Sequence, residues 1–182
     1  MRQWIALIVL GGILQGCAQV NRLDTPAASE RRAAAAVLDD RNIEHTALQR
    51  IAEKYRQNVQ VNVTSFNHFV LLTGRVPDES GKIGIERIVA GINHVKGIAN
   101  ELHVASGNQS GIGYSDSGIS GDVRTRMLAN KVFQLDHIKV YTEEGVVYLL
   151  GIVKRAEADA ASEIASTTYN VKKVVRVFEY LD

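Results

Sequence analysis

The chain has 182 residues, 46% of them hydrophobic and 23% charged, with 21 Lys and Arg against 20 Asp and Glu. That length and balance suit one or two small folded domains and exclude a disordered chain. A net charge of +1 with no basic stripe also argues against a partner bound through nucleic-acid phosphates.

The first residues read as an export signal. Arg2 gives a short basic start, Trp4 to Leu10 form an apolar run, and small residues lead to Cys17, the single cysteine. Counted to Leu14, the apolar stretch is about half the ~20 residues a membrane-spanning helix needs. Leu14-Gln15-Gly16-Cys17 resembles the bacterial lipoprotein box. The resemblance makes residues 1–16 a lipoprotein signal peptide and Cys17 the lipidation site, carrying covalent diacylglycerol (thioether-linked) and an N-acyl chain such as palmitate. A cysteine suits this role because its thiolate is a strong nucleophile, and several acyl chains together hold a domain stably to a bilayer. The alternative is a cleaved secretory signal with a chance cysteine. Ala18 in place of Asp, in the lipoproteins this resembles, favours the outer membrane. Residues 17–39 read as the lipidated N-terminus and a tether, whose Ala-rich part has some helical tendency.

The rest of the chain repeats at a spacing of about 76 residues. Ile43, Ala47, Ile51 and Tyr55 recur at fours in one copy and Ile119, Val123 and Met127 in the other, each set one stripe of a helix. Val59, Val61, Val63 and Ile138, Val140 alternate as strands. Polar turns follow (Ser65 to His68, Thr142 to Gly145), then the apolar runs Phe69–Val76 and Val146–Val153. Gly74 and Gly151, near the ends of those runs, suit a close backbone approach. A second amphipathic helix follows in each copy (Ile85, Ile88, Val89, Ile92; Ala161, Ile164, Ala165, Thr168), then a turn and a last strand. Each copy is therefore α-β-β-α-β, an α+β fold with a small mixed sheet carrying two helices.

This order, the apolar run ending in Gly, and Val123-Arg124-Thr125-Arg126-Met127-Leu128 with Gly145-Val146-Val147-Tyr148-Leu149-Leu150-Gly151, resemble the BON domain. Two such copies behind a lipoprotein box resemble the dual BON-domain outer-membrane lipoproteins of Gram-negative bacteria. The domains are then 40–105 and 116–182, joined by a Gly/Ser-rich linker at 106–115. The resemblance implies a lipid-anchored protein on the periplasmic face of the outer membrane that binds anionic phospholipid mainly through the second domain. It also implies support of envelope integrity, gathering at division sites, and a non-enzymatic role. The other reading is a periplasmic protein-interaction scaffold for envelope or outer-membrane protein assembly machinery.

A search for chemistry finds no catalytic residue, no metal site, no cofactor and no small-molecule substrate. Gly111-x-Gly113 lacks the third glycine and the βαβ setting of a dinucleotide loop. Serine-nucleophile catalysis has no elbow motif. Of the histidines, His45 reads as lying at a helix start, His68 in a hairpin turn, His94 in a loop, His103 on a strand and His137 just before one. Such positions suggest solvated or capping roles. Asp39-Asp40 read as a helix-start signal and Glu143-Glu144 as a hairpin turn.

The first helices of the two copies differ on one face. Leu48, Ala52 and Arg56 align with Arg124, Leu128 and Val132, and Lys131 lies close by. Apolar residues flanked by cations suit a helix lying on an anionic bilayer, where each cation adds about 1 kcal/mol. The predicted membrane contacts are Arg124, Leu128, Lys131 and Val132, with Ile119 at the helix start and Tyr114 in the linker. Burial of Leu128 and Val132 against the first copy is the competing reading, and Ile119 reads equally as core. Gly118 stands where the resemblance suggests a bulky aromatic, and the one Trp is Trp4, in the signal. Without residues 1–16 the chain loses Arg2 and is formally neutral. Attraction to an anionic surface must then be local.

Overall fold

The computed structural model describes residues 31–56, 58–105, 115–132 and 134–182; the predicted signal, Cys17, most of the predicted tether and residues 106–114, including Tyr114, lie outside the described residues. In chain order the first copy comprises α1 (Ala34–Tyr55), β1 (Gln60–Phe66), β2 (Phe69–Val76), α2 (Glu79–Ala90) and β3 (Gly97–Val104). The second comprises α3 (Asp116–Leu128), a 3-10 turn (Leu135–His137), β4 (Ile138–Glu143), β5 (Val146–Val153), α4 (Arg155–Ser166) and β6 (Lys173–Tyr180). The α-β-β-α-β order read from the repeat is present twice.

Each β-β connection is a two-residue turn with both central residues in the left-handed region: Asn67 (φ 51°) and His68 (72°), then Glu144 (52°) and Gly145 (79°). That geometry matches the twist of the flanking strands and sets the register, Phe66 opposite Phe69 and Glu143 opposite Val146. The third strand runs parallel to the second after the helical crossover, leaving β2 and β5 central in their three-stranded sheets. At Gly74 (φ 112°) a side chain would collide with the Gln60 carbonyl across the β1–β2 pair. A close backbone approach is therefore what that glycine serves.

Two readings of the first helix change. α1 starts at Ala34, so the last residues of the predicted tether are helical. The Ala33–Ala36 run has high helix propensity, and Ala36 is buried. Asp39 and Asp40 consequently lie inside the helix, not at its start, and His45 is exposed near its middle.

The helices cover one face of each sheet. Ile43, Ala47, Ile51, Ile85 and Val89 pack on Val63, Val70, Leu72 and Leu102; Ile119, Val123, Met127, Ala161 and Ala165 pack on Val140, Val147 and Leu149. The opposite faces meet each other. Phe66 and Leu71 of the first copy form one buried cluster with Tyr148, Leu150 and Ile152 of the second. The molecule is thus helix on sheet on sheet on helix, which explains why β2 and β5 are continuous apolar runs: both of their faces are dry. Each buried large apolar side chain there contributes roughly 1.5–3 kcal/mol. Burial pushes the Tyr148 phenol up to about 12, with nearby Glu101, Glu143 and Glu144 adding to it.

A polar rim surrounds this contact. The Glu143 carboxylate accepts hydrogen bonds from Asn62 (3.1 Å), Tyr141 (2.9 Å) and Thr73. Lys139 Nζ reaches Glu44 (2.9 Å) and the Ser65 carbonyl (3.2 Å), and Asn67 donates to Glu179 (2.9 Å). Arg31, just before α1, donates to Glu157 of α4 (2.8 Å) and to the Ile152 carbonyl (3.0 Å).

Candidate membrane-facing site

α3 begins on Ser115, whose hydroxyl accepts the Gly118 N–H at 3.3 Å. Its inward stripe is Ile119, Val123 and Met127, and its C-terminal end leaves apolar surface in water. Leu128 is 67% exposed and Val132 53% exposed. Lys131, between them in sequence, is exposed and makes no hydrogen bond or ion pair among the described residues. The sequence continues with Phe133, whose side chain lies outside the described residues.

Of the predicted contacts, Leu128, Lys131 and Val132 are all exposed, at the last residue of α3 and just beyond it. Burial against the first copy is not their role, since the copies meet through their sheets. Arg124 is exposed one turn earlier and donates to the Val140 carbonyl, so its guanidinium is directed along β4. Ile119 is a correction. At 2% exposure it is sealed into the second core, because it opens the same i, i+4 stripe as Val123 and Met127. Tyr114 lies outside the described residues.

Arg124 also lines a groove of about 610 Å³ between the start of α1 and β4, together with Arg31, Arg32, Arg41 and Lys139. Three of its cations are already engaged: Arg31 by Glu157, Lys139 by Glu44, and Arg32 by Asp40 (3.4 Å) while it stacks 4.3 Å from the Phe66 ring centre. Arg41 is exposed and has no partner among the described residues. Sequence reasoning missed Arg41 because it belongs to the first copy, and only sheet-on-sheet packing carries it to the Arg124 side.

The histidines hold a further correction. His68 Nε2 lies 3.1 Å and His94 Nδ1 3.2 Å from the same Asp39 oxygen. These two rings do converge from distant elements. Hydrogen bonding to His68, chiefly, holds the Asp39 carboxyl below the usual carboxylate range. His103 is exposed on β3, and His137 is buried in the 3-10 turn.

The model of the BON domain matches residues 39–106 and again residues 115–182. The chain belongs to the BON family. Among curated relatives, this BON chain is 32% identical over 184 residues to a Haemophilus influenzae protein named outer membrane lipoprotein DolP, covering 96% of the chain and 95% of the relative. It is 32% identical to the 21 kDa hemolysin of Actinobacillus pleuropneumoniae (82% of the chain, 78% of the relative). Osmotically-inducible protein Y of Escherichia coli is 27% identical over 65% of the chain and 60% of its own length. The BON chain is therefore of the type of a named outer-membrane lipoprotein, which supports an envelope location.

Proposed function

We propose that this BON protein is a non-enzymatic lipoprotein, anchored through lipid on Cys17 to the periplasmic face of the outer membrane, whose second domain contacts anionic phospholipid and so supports membrane integrity. The carrying observation is the end of α3: Leu128 and Val132 stand exposed around Lys131, which is unpaired among the described residues, on the outer helical layer of the molecule. Apolar side chains there enter the acyl boundary while Lys131 meets headgroups. Arg41 and Arg124 extend the cationic surface along the neighbouring groove. The near-full-length likeness to a protein named outer membrane lipoprotein DolP supports the location.

The test is co-sedimentation of residues 28–182, which keep Arg31 and all of α1, with vesicles of increasing phosphatidylglycerol content. Binding rises with anionic content, falls with salt, and weakens several-fold in Leu128→Glu. Unchanged binding by that variant removes the site. A fragment that binds no vesicle, yet captures envelope proteins in a way that Leu128→Glu abolishes, turns the same surface into a scaffold contact. A mass spectrum of the mature N-terminus reads the lipid on Cys17 separately.

A further inference from the structure

The two copies of the fold serve as controls for each other, and at one place they differ at three positions together. His68 is the second residue of the β1–β2 turn (φ 72°) and His94 lies in the α2–β3 connection (φ 73°). The same backbone positions in the second copy are held by Gly145 (φ 79°) and Asn170 (φ 64°). The equivalence is structural. Lys96 N–H donates to the His68 carbonyl (3.0 Å) as Lys172 N–H donates to that of Gly145 (2.8 Å). Gly and Asn are the residues that enter the left-handed region at least cost. In the first copy both are replaced by imidazoles, and Asp39 stands where the second copy has Ser115.

The three side chains converge. One ligand atom from each of Asp39, His68 and His94 lies within 4.8 Å of the others. Asp39 Oδ2 is 3.1 Å from His68 Nε2 and 3.2 Å from His94 Nδ1. Those separations are close to the edge of about 3.3 Å that ligands 2.0–2.1 Å from a tetrahedral ion make with each other. The other nitrogen of His68 is buried without a hydrogen-bond partner, so Nε2 is the nitrogen presented to the cluster. His94, 60% exposed, leaves one side of the cluster open to water for a further ligand.

We propose that Asp39, His68 and His94 bind one divalent transition-metal ion of the class that two imidazoles and a carboxylate favour, with Zn²⁺ as reference ion. The ion takes the place of two hydrogen bonds and ties α1, the β1–β2 turn and the α2–β3 connection of the first copy together. None of its three side chains belongs to the lipid-facing surface, and it is independent of that reading.

The test is calorimetric titration of the untagged full chain in detergent with ZnCl₂, paired with the visible spectrum of the Co²⁺ form. The expected result is one ion per chain and a Co²⁺ spectrum of low coordination number. His68→Gly and His94→Asn put in the residues that the second copy tolerates at the same φ, so the fold is retained. Each weakens binding at least tenfold, whereas His45→Gln and His103→Gln leave it unchanged. A wild-type chain that takes up no Zn²⁺, or equal binding by the His68→Gly/His94→Asn double variant, overturns the proposal.

Discussion

Asp40 and Asp116, 76 residues apart, hold the two hairpins in the same way, each carboxylate accepting both backbone N–H groups of the turn beside it. The distances are 2.8 and 2.8 Å for Asn67 and His68, and 2.8 and 2.9 Å for Glu144 and Gly145. Asp40 is the more deeply placed, 4% exposed, and also accepts the Ser65 hydroxyl at 2.7 Å. Removing it strands three donors, two of them in a turn whose φ values need support. With about 1–3 kcal/mol for each unsatisfied buried group, Asp40→Ala costs about 3 kcal/mol or more, and Asp116→Ala about 1–2 kcal/mol. Urea denaturation midpoints of the two variants check the order.

The sheet-to-sheet contact makes the two copies one cooperative unit. Leu71 and Leu150 are fully buried in it, facing the other copy and not their own helices. Leu71→Asp puts a charge there with no partner, so unfolding followed by circular dichroism separates into two transitions where the wild type shows one. Leu150→Ala, which leaves a cavity, costs about 2–5 kcal/mol. A single unshifted transition in Leu71→Asp shows that the copies do not depend on each other.

Arg31 and Glu157 give the contact a pH dependence. Hydrogen bonding to Arg31, chiefly, holds the Glu157 carboxyl below the ordinary range, helped by the Lys154 N–H (2.7 Å) at the start of α4. Between the folded and unfolded values the unfolded chain binds more protons. The pair's contribution is therefore complete above the unfolded value of about 4.3 and is lost as pH falls through the lower folded value. Arg31→Leu lowers stability at neutral pH and makes the acid side of the profile shallower. Denaturation midpoints between pH 7 and 3 measure both.

Ile119 and Leu128 separate core from surface on a single helix. Ile119→Ala costs about 2–5 kcal/mol while leaving vesicle binding by the folded fraction unchanged. Leu128→Ala stays within about 0.5 kcal/mol in stability, as exposed positions do, yet weakens vesicle binding. Thermal melts and co-sedimentation of the same two proteins check the pair of outcomes.

Much of this was readable in one dimension. The i, i+4 stripes named the inward residues of α1 and α3, and the polar punctuation of the apolar runs named both hairpins. Gly74 was readable as a close-approach position from its place at the end of a run. Helix starts were less so, because an Ala run and a tether share a composition until Ala36 finds a core to pack on. Ile119 could be assigned either to water or to the core from its spacing, and burial decided it.

Local periodicity and turn chemistry act over a few residues, so the sequence by itself determined the repeat, the α-β-β-α-β order and the helix faces. It also carried the surplus that pointed further, since apolar β2 and β5 runs need two dry faces where one sheet face would suffice. What covers the second face depends on contacts far apart in the chain, such as Phe66 with Tyr148 and Arg31 with Glu157, 126 residues apart. Tertiary structure alone joined the two sheets, left Leu128 and Val132 in water, brought Arg41 to Arg124, and gathered Asp39, His68 and His94 around a common centre.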